Sequence, residues 1–210
     1  MTEAAFCWAI AVLIDTTAVH MQSYNVAYFL AEQAQRQPQC VAVRAPCGRS
    51  ADGSICYQER SFAQLNAEAC ATAHYLTAKG VRRGSRVLLM VRPGLDLIRI
   101  VFALFRMGAV PVVIDPGMGL RQFLRCVRSA QPDALLGIPA AIWIARVCRR
   151  SFRGVAHKIP VGRRFARRLS AYAAQGDYPL VTDPTKKILG SGGHPNPPFL
   201  TIKDSVRVMG

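Results

Sequence analysis

The sequence lacks the cysteine spacing that marks a disulfide framework or a zinc site. Its seven cysteines are odd in number and show no Cys-x-x-Cys pair. We therefore expect them to be reduced core residues of a cytosolic protein. They are Cys7, Cys40, Cys47, Cys56, Cys70, Cys126 and Cys148.

The N-terminus lacks an apolar run long enough to cross a membrane. The run AAFCWAIAVLI over 4–14 has eleven residues, whereas a helix needs about 20 to span a bilayer. No Lys or Arg precedes it, and no clear small-residue cleavage site follows, so a secretory signal is not indicated. Because an amphipathic segment starts after Met21, we expect residues 1–20 to be an extension. We also expect the protein to be cytoplasmic.

Acidic residues are missing from Ala134 to Gly176, although the chain carries a net charge of +15. Such a basic block can attract nucleic acid or an anionic membrane surface, or it can be a solvated face. Without interleaved aromatic residues or a zinc motif, the pattern favours the solvated face and leaves partner binding through 146–168 as the alternative. The basic residues of the block are Arg146, Arg149, Arg150, Arg153, Lys158, Arg163, Arg164, Arg167 and Arg168.

What the sequence does contain is enough apolar material for a core. The chain has 210 residues, 51% of them hydrophobic, which suits one domain or one domain with a tail. The clearest helix is predicted over 61–80, where Ser61 and Gln64 form a capping box and Gly80 follows the last turn.

Apolar periodicity places further elements on both sides of this helix. Asn25 is predicted to cap the first of them. We expect helices over 26–36, 95–107, 119–130, 140–150 and 163–175, strands over 40–45, 54–60, 87–91, 109–115, 133–138 and 155–162, and a loop over 46–54.

Strands alternate with helices at the spacing of right-handed βαβ units. The strands at 87–91 and 109–115 are apolar on both faces, as buried parallel strands are. We therefore predict an α/β fold with a mainly parallel sheet, helices on both faces and a poorly ordered C-terminal tail. The predicted divisions are an extension over 1–20, a domain over 21–150 and a basic region rich in proline and glycine over 151–210.

Two motifs carry a resemblance to a known family. SFAQL at 61–65 and FRMGAVPVVIDP at 105–116 resemble signatures of the adenylate-forming acyl-CoA synthetases, the AMP-dependent synthetase and ligase superfamily. The similarity covers about residues 24–147 and matches the N-terminal part of these enzymes. The sequence around MVRPG and FALFRMGAVPVVIDPG is most similar to the fatty-acyl-CoA synthetase-like branch of the family, which includes olefin β-lactone synthetases.

The matched motif residues have scaffold roles on physical grounds. Gly108 can end a helix where the chain turns into the sheet. Pro111 lies near the start of a strand, where its missing N–H is tolerated. Asp115 can cap the turn after that strand, and Pro116 ends the pairing. These positions build the fold, so we predict no catalytic residue and no metal ligand among them.

The resemblance implies a two-step reaction. A carboxylate, here of a fatty acid, attacks the α-phosphate of ATP and gives an acyl adenylate, while pyrophosphate departs with its charge neutralised by Mg²⁺. CoA then takes the acyl group and releases AMP, or an internal hydroxyl does so in the β-lactone branch. The family holds the triphosphate in a loop of Ser, Thr and Gly that ends in Pro-Lys-Gly, and by position this loop falls just after Leu189.

The stretch LGSGGHPNPPF over 189–199 matches that loop only in part. Ser191, Gly192 and Gly193 fit, and they are the predicted cofactor-binding residues. The second hydroxyl pair is absent, three prolines remove N–H donors, and Phe199 stands where the lysine is expected. We therefore expect a truncated, catalytically incomplete synthetase that does not itself bind ATP and Mg²⁺. The alternatives are a basic binding module for nucleic acid or an anionic membrane surface, and half of a synthetase that a second polypeptide completes.

Overall fold

The computed structural model describes residues 25–49, 53–162 and 164–181. The predicted extension over 1–20 and residues 182–210 of the predicted tail lie outside them. The described residues form α1 (Val26–Arg36), β1 (Val41–Arg49), β2 (Ile55–Ser61), α2 (Phe62–Ala78), β3 (Arg86–Met90), α3 (Leu95–Met107), β4 (Val110–Val113), a 3-10 turn (Pro116–Met118), α4 (Leu120–Ala130), β5 (Ala134–Gly137), α5 (Pro139–Val147), β6 (His157–Pro160) and α6 (Phe165–Ala173).

Four of the strands form a parallel sheet in the order β4-β3-β5-β6. Successive side chains of a strand point to opposite faces. On β3, Val87 and Leu89 accordingly enter one core, whereas Leu88 enters the other. The run VLLMV is apolar throughout because both faces of its strand are covered, as the sequence predicts.

Helices cover the sheet on both sides. Leu76 of α2, Leu104 of α3 and Phe165 of α6 share the first core. Phe123 of α4 and Ile142 of α5 belong to the second. Helix α1 packs on α2 and α3 through a smaller third cluster. The α/β fold predicted from the alternating pattern is confirmed.

Helix α2 begins and ends where its sequence signals place it. The Ser61 hydroxyl accepts from the backbone N–H of Gln64 at 3.3 Å, and the Gln64 side chain accepts from the backbone N–H of Ser61 at 3.1 Å. At the other end, Val81 N–H donates to the Leu76 carbonyl at 3.0 Å across Gly80, which has a φ of +90°. These bonds satisfy backbone groups that a helix end leaves unpaired.

Strand β4 is present but is not the buried strand that its sequence predicts. It forms an edge of the sheet and pairs with β3 alone among the described strands. Val110 and Val113 are 45% and 74% exposed. An apolar run shows that a strand can be buried on both faces, but it does not encode how many neighbours cover it. The edge position also suits Pro111, because proline has no backbone N–H to donate and an edge strand tolerates the missing donor.

The remaining strands, β1 and β2, form an antiparallel hairpin, with Val41 opposite Ser61 and Arg49 opposite Ile55. The predicted loop over 46–54 is wrong for residues 46–49, where β1 continues. A register shift between Pro46 and Gly48 accommodates the proline within the pairing. Main-chain pairing sustains this half of the hairpin, and most of its side chains are exposed, so apolar alternation gives no signal there.

The segment after residue 150 packs with the rest of the described chain. The predicted strand over 155–162 and the predicted helix over 163–175 are present as β6 and α6. Phe152 and Val155 are buried in the second core, and Ile159, Val161 and Leu169 in the first. The boundary predicted near residue 150 does not coincide with a break in this packing, and as a statement about domains it stays a prediction.

Of the six cysteines within the described residues, only one lies in a core. Cys70 is buried, whereas Cys40 and Cys47 are exposed beside and within the hairpin. The expectation that the cysteines are core residues is therefore wrong for these two. Among the described helices, none has both the length and the apolar composition needed to cross a membrane.

Candidate functional site

The residues predicted to hold phosphate are not part of the structure that is described. Ser191, Gly192 and Gly193 lie beyond Val181, as does the whole stretch 189–199. The assignment of these residues stays a prediction. The site must therefore be approached from the edges of the sheet that the described residues build.

The carboxyl edge of the parallel sheet is where ligands of open α/β sheets bind. Here the strand ends are held together by backbone bonds: Ile138 N–H donates to the Met90 carbonyl at 3.0 Å, and Val161 N–H donates to the Gly137 carbonyl at 2.8 Å. The Asp115 carboxylate accepts from Gly117 N–H at 2.8 Å and caps the turn after β4. The scaffold role predicted for Asp115 is confirmed.

Close packing at this edge depends on Gly137, the last residue of β5. A Cβ at this position would lie 2.9 Å from the Cβ of Ala141 and 3.2 Å from the Cβ of Met90. Real Cβ contacts are longer, so only glycine lets α5 approach the sheet this closely. Gly137 thus fixes the distance between the carboxyl edge and the helix that follows it.

A partly buried charge cluster, centred on the buried Arg99, lies between α2 and α3 on the first face. The Arg99 guanidinium pairs with Asp96 and lies 3.5 Å from the Glu68 carboxylate, which also binds Arg60 at 2.7 Å. Burial lowers the pKa of Arg99, and the Glu68 charge opposes that shift. The guanidinium also packs over the ring of Phe165, 5.5 Å from its centroid.

This cluster fixes helix positions, since it joins α2, α3 and α6. Sequence reasoning missed it. The one available signal is Arg99 itself, a charged residue inside the apolar run LIRIVF. The burial of Arg99 and its ion-pair partners depend on how the helices pack, which the local sequence does not show.

A second polar network fastens the end of the described chain to the same helices. Arg106 donates to the Tyr178 carbonyl and to the Asn66 side chain, both at 2.8 Å. Val181 N–H donates to the Arg106 carbonyl at 3.0 Å. The described chain therefore ends beside the C-terminal part of α3.

The basic block predicted from the sequence is divided between two faces. Arg164, Arg167 and Arg168 lie exposed on or beside α6, which packs on the first face. The earlier arginines lie at the C-terminal end of α5 and in the loop that follows, and Lys158 lies on β6. They surround two cavities of about 540 and 470 Å³ on the second face. Arg163 lies outside the described residues.

Metal ligands do not converge in the described segments, where no three His, Cys, Asp or Glu side chains could together hold an ion. The residues present there support the scaffold and its basic surface.

Comparison with known proteins identifies the family. Residues 30–177 match the family described as AMP-binding enzyme, and the chain belongs to this family. The family predicted from the motifs at 61–65 and 105–116 is confirmed.

The relatives include two olefin β-lactone synthetases. The chain is 41% identical over 130 residues to the one from Xanthomonas campestris and 40% identical over 142 residues to the one from Stenotrophomonas maltophilia. These matches cover 61% and 67% of this chain but 23% and 26% of the relatives. The chain thus spans about a quarter of the length of the curated relatives it matches. A medium/long-chain-fatty-acid–[acyl-carrier-protein] ligase, FadD10 of Mycobacterium tuberculosis, is 32% identical over 130 residues, 62% of this chain and 22% of that protein.

Solved structures agree on the fold. The anthranilate CoA ligase AuaEII in complex with anthranoyl-AMP superposes with a TM-score of 0.58 at 16% identity, over 77% of this chain and 29% of the ligase. The N-terminal domain of FACL13 from Mycobacterium tuberculosis gives 0.56 at 19% identity, over 80% and 39%. At these identities the likeness concerns the fold alone, and it is the fold of the N-terminal portion of adenylate-forming ligases.

Proposed function

We propose that this chain forms scaffold of an ATP-dependent enzyme that activates a fatty acid as its acyl adenylate. The observation that carries the proposal is the family match over residues 30–177 together with about 40% identity to two olefin β-lactone synthetases. One further relative is named as a medium/long-chain-fatty-acid ligase, and one fold neighbour is named as an anthranilate CoA ligase.

The role of the described residues is to hold the carboxyl edge of the sheet in a fixed shape. Gly137 sets the approach of α5, and Asp115 caps the turn after β4. Gly108, with a φ of +70°, turns the chain from α3 into β4. A rigid edge of this kind orients the segments that contact substrate, and orientation is a large part of catalysis.

ATP would supply the electrophilic phosphoryl group, with Mg²⁺ neutralising its charge. We propose Ser191, Gly192 and Gly193 as the remaining phosphate-contacting residues of this sequence. Because this stretch lacks the second hydroxyl pair and the lysine that the family loop implies, we propose that the chain alone does not complete adenylation. The alternative is that this chain is half of a split synthetase that a second polypeptide completes.

The test is a chimera in which residues 25–181 of this chain replace the segment of the Xanthomonas campestris relative that is equivalent to them in the fold. We expect the chimera to release pyrophosphate from ATP in the presence of a long-chain 3-hydroxy acid. The same chimera with Leu88→Asp, a charge in the second core, serves as the inactive control. A chimera that shows the relative's thermal transition and releases no pyrophosphate would contradict the proposal.

The choice of acyl acceptor is tested with the same chimera. An internal hydroxyl as acceptor predicts β-lactone from the 3-hydroxy acid without CoA. An acyl-CoA ligase predicts a thioester from an unsubstituted fatty acid and CoA. We propose the β-lactone outcome because these two synthetases are more similar in sequence to the chain than the fatty-acid ligase is. The 210-residue chain assayed alone is expected to give neither product.

A further inference from the structure

We infer that the second face of the molecule carries a binding site for a small molecule with several phosphoryl groups, at the amino edge of the sheet and remote from the carboxyl edge. The inference is independent of the adenylation proposal. It is based on two adjacent cavities lined by cations from several elements, with one carboxylate in the larger cavity and none in the smaller.

The larger cavity, of about 540 Å³, opens where β3 and β5 begin. Four arginines line it: Arg86 at the start of β3, Arg128 in the last turn of α4, and Arg150 and Arg153 in the loop after α5. Its volume lies within the range of small-molecule sites. Sequence reasoning missed the first two of these arginines, because they lie outside the block 146–168.

The acidic residue in this cavity is already engaged. The Asp133 carboxylate accepts from the backbone N–H of Arg86 at 2.8 Å. Arg86 also donates from its guanidinium to the Ala130 carbonyl at 3.2 Å. These bonds fix the wall of the cavity and leave it with a formal excess of three positive charges.

The smaller cavity, of about 470 Å³, shares Arg153 with the larger one. Arg146, Arg149 and Lys158 line it as well. The two cavities therefore form one continuous basic surface with a shared arginine at its centre. A ligand that reaches both needs at least two separated anionic groups.

The loop that presents these arginines is anchored by two side chains that are buried in the second core. Phe152 and Val155 are 3% and 5% exposed and belong to the second core. Phe152 N–H donates to the Arg149 carbonyl at 3.2 Å, and Val155 N–H donates to the Phe152 carbonyl at 3.1 Å. With Phe152 and Val155 fixed inside, the arginines between and beside them must point outward. The backbone that presents these arginines is thus held in place by the second core.

The side chains of Arg128, Arg150 and Arg153 form no hydrogen bond or ion pair with another described residue. Between Asp115 and Asp177 the sequence holds twelve Lys and Arg but one acidic residue, Asp133. Like charges that line one surface repel one another, and a bound anion offsets that repulsion. Carboxylate and phosphate oxygens both match the planar fork of arginine, but a phosphoryl group brings up to about two negative charges where a carboxylate brings one.

The shape of the surface favours a small molecule over a membrane or a nucleic acid. The apolar side chains in its lining, such as Val127, Phe152 and Val155, are buried and do not protrude as membrane insertion requires. Among the described residues, Phe152 is the aromatic residue in the lining, and at 3% exposure it is too buried to stack on a base. Trp143 is exposed on α5 but lines neither cavity.

The experiment titrates the full 210-residue chain with inorganic tripolyphosphate, pyrophosphate and phosphate in a calorimeter at about 150 mM salt. We expect saturable binding of one tripolyphosphate, with affinity falling at least tenfold to pyrophosphate and again to phosphate. Arg153→Ala is expected to weaken tripolyphosphate at least tenfold because both cavities lose a wall. Arg153→Lys, which keeps the charge and loses the fork, should recover part of that loss.

The matched control removes three charges from the other face. The variant with Arg164→Ala, Arg167→Ala and Arg168→Ala is expected to bind tripolyphosphate within about twofold of the wild type, because these exposed arginines lie across the sheet. The variant with Arg128→Ala, Arg150→Ala and Arg153→Ala should show no binding while keeping the wild-type circular dichroism.

Three results would overturn the proposal. One is an equal loss of affinity in the two triple variants, which would mean diffuse attraction to net charge. Another is no measurable heat with tripolyphosphate. The third is retention on phosphatidylglycerol vesicles or single-stranded DNA at the same salt that tripolyphosphate does not compete away, because this would assign the surface to a membrane or to nucleic acid.

Discussion

The side-chain amide of Asn25 donates to the carbonyl of Val181 at 2.8 Å, across 156 positions of sequence. The same amide donates to the Phe105 carbonyl at 2.9 Å, while the Asn25 side-chain oxygen accepts from Ala27 N–H and caps α1. One side chain thus joins the two ends of the described chain to the end of α3.

Replacing Asn25 should therefore cost two kinds of interaction. Asn25→Ala loses the cap and both carbonyl contacts, and we expect the free energy of unfolding to fall by about 2–3 kcal/mol. Asn25→Ser keeps a capping hydroxyl and should recover about 1 kcal/mol of this loss. Urea unfolding followed by circular dichroism measures both. Equal losses in the two variants would show that the cap contributes nothing.

Gly137 should tolerate no larger side chain unless its neighbour shrinks. Gly137→Ala places a Cβ 2.9 Å from that of Ala141, and we expect a loss of about 1–3 kcal/mol from overpacking. The double variant with Gly137→Ala and Ala141→Gly removes that contact and should be more stable than Gly137→Ala alone. If the double variant is the less stable of the two, the strain lies elsewhere.

Stability should decline in alkali partly because of Cys70. Burial raises the pKa of the Cys70 thiol above its ordinary value of 9.0, against a backbone hydrogen bond with Tyr178 and the charge of Arg106. The folded state thus holds the thiol proton more tightly than the unfolded chain does. The contribution to stability is complete below about pH 9 and is lost as the pH rises through the folded-state pKa.

The comparison that isolates this effect is the wild type against Cys70→Ala. Above about pH 9 the free energy of unfolding of the wild type should fall more steeply than that of the variant. Urea titrations at several pH values under reducing conditions measure the two slopes. Parallel slopes would mean that the folded and unfolded chains bind the thiol proton equally well.

The exposed edge of the sheet should promote association. Val113 is 74% exposed on β4, whose outer side pairs with none of the described strands, and such an edge is open to pairing with another chain. Val113→Lys should reduce light scattering on incubation while changing the free energy of unfolding by no more than about 0.5 kcal/mol. Val87→Lys, which buries the charge, is the contrasting variant and should unfold. Unchanged scattering in a folded Val113→Lys variant would assign association to another surface.

Local signals in the sequence were sufficient for most elements. The capping box of Ser61 and Gln64, the turn at Gly108 and the apolar run of β3 each depend on residues a few positions apart, and each is present as predicted. The exposure of β4 was not predictable, because it depends on which strand lies beside it. The same holds for Arg99, whose burial follows from the crossing of α2 and α3, and for Arg86, which joins the later arginines only through the sheet.

The strand order has a consequence for how the protein is made. Of the four parallel strands, β3 leaves the ribosome first, yet it ends between β4 and β5. The unit of β3, α3 and β4 can close during synthesis, whereas the opposite flank of β3 stays open until residues 134–137 have emerged. During that interval Leu88 and its apolar neighbours are exposed to solvent. This strand is therefore the segment of the nascent chain that a chaperone would bind.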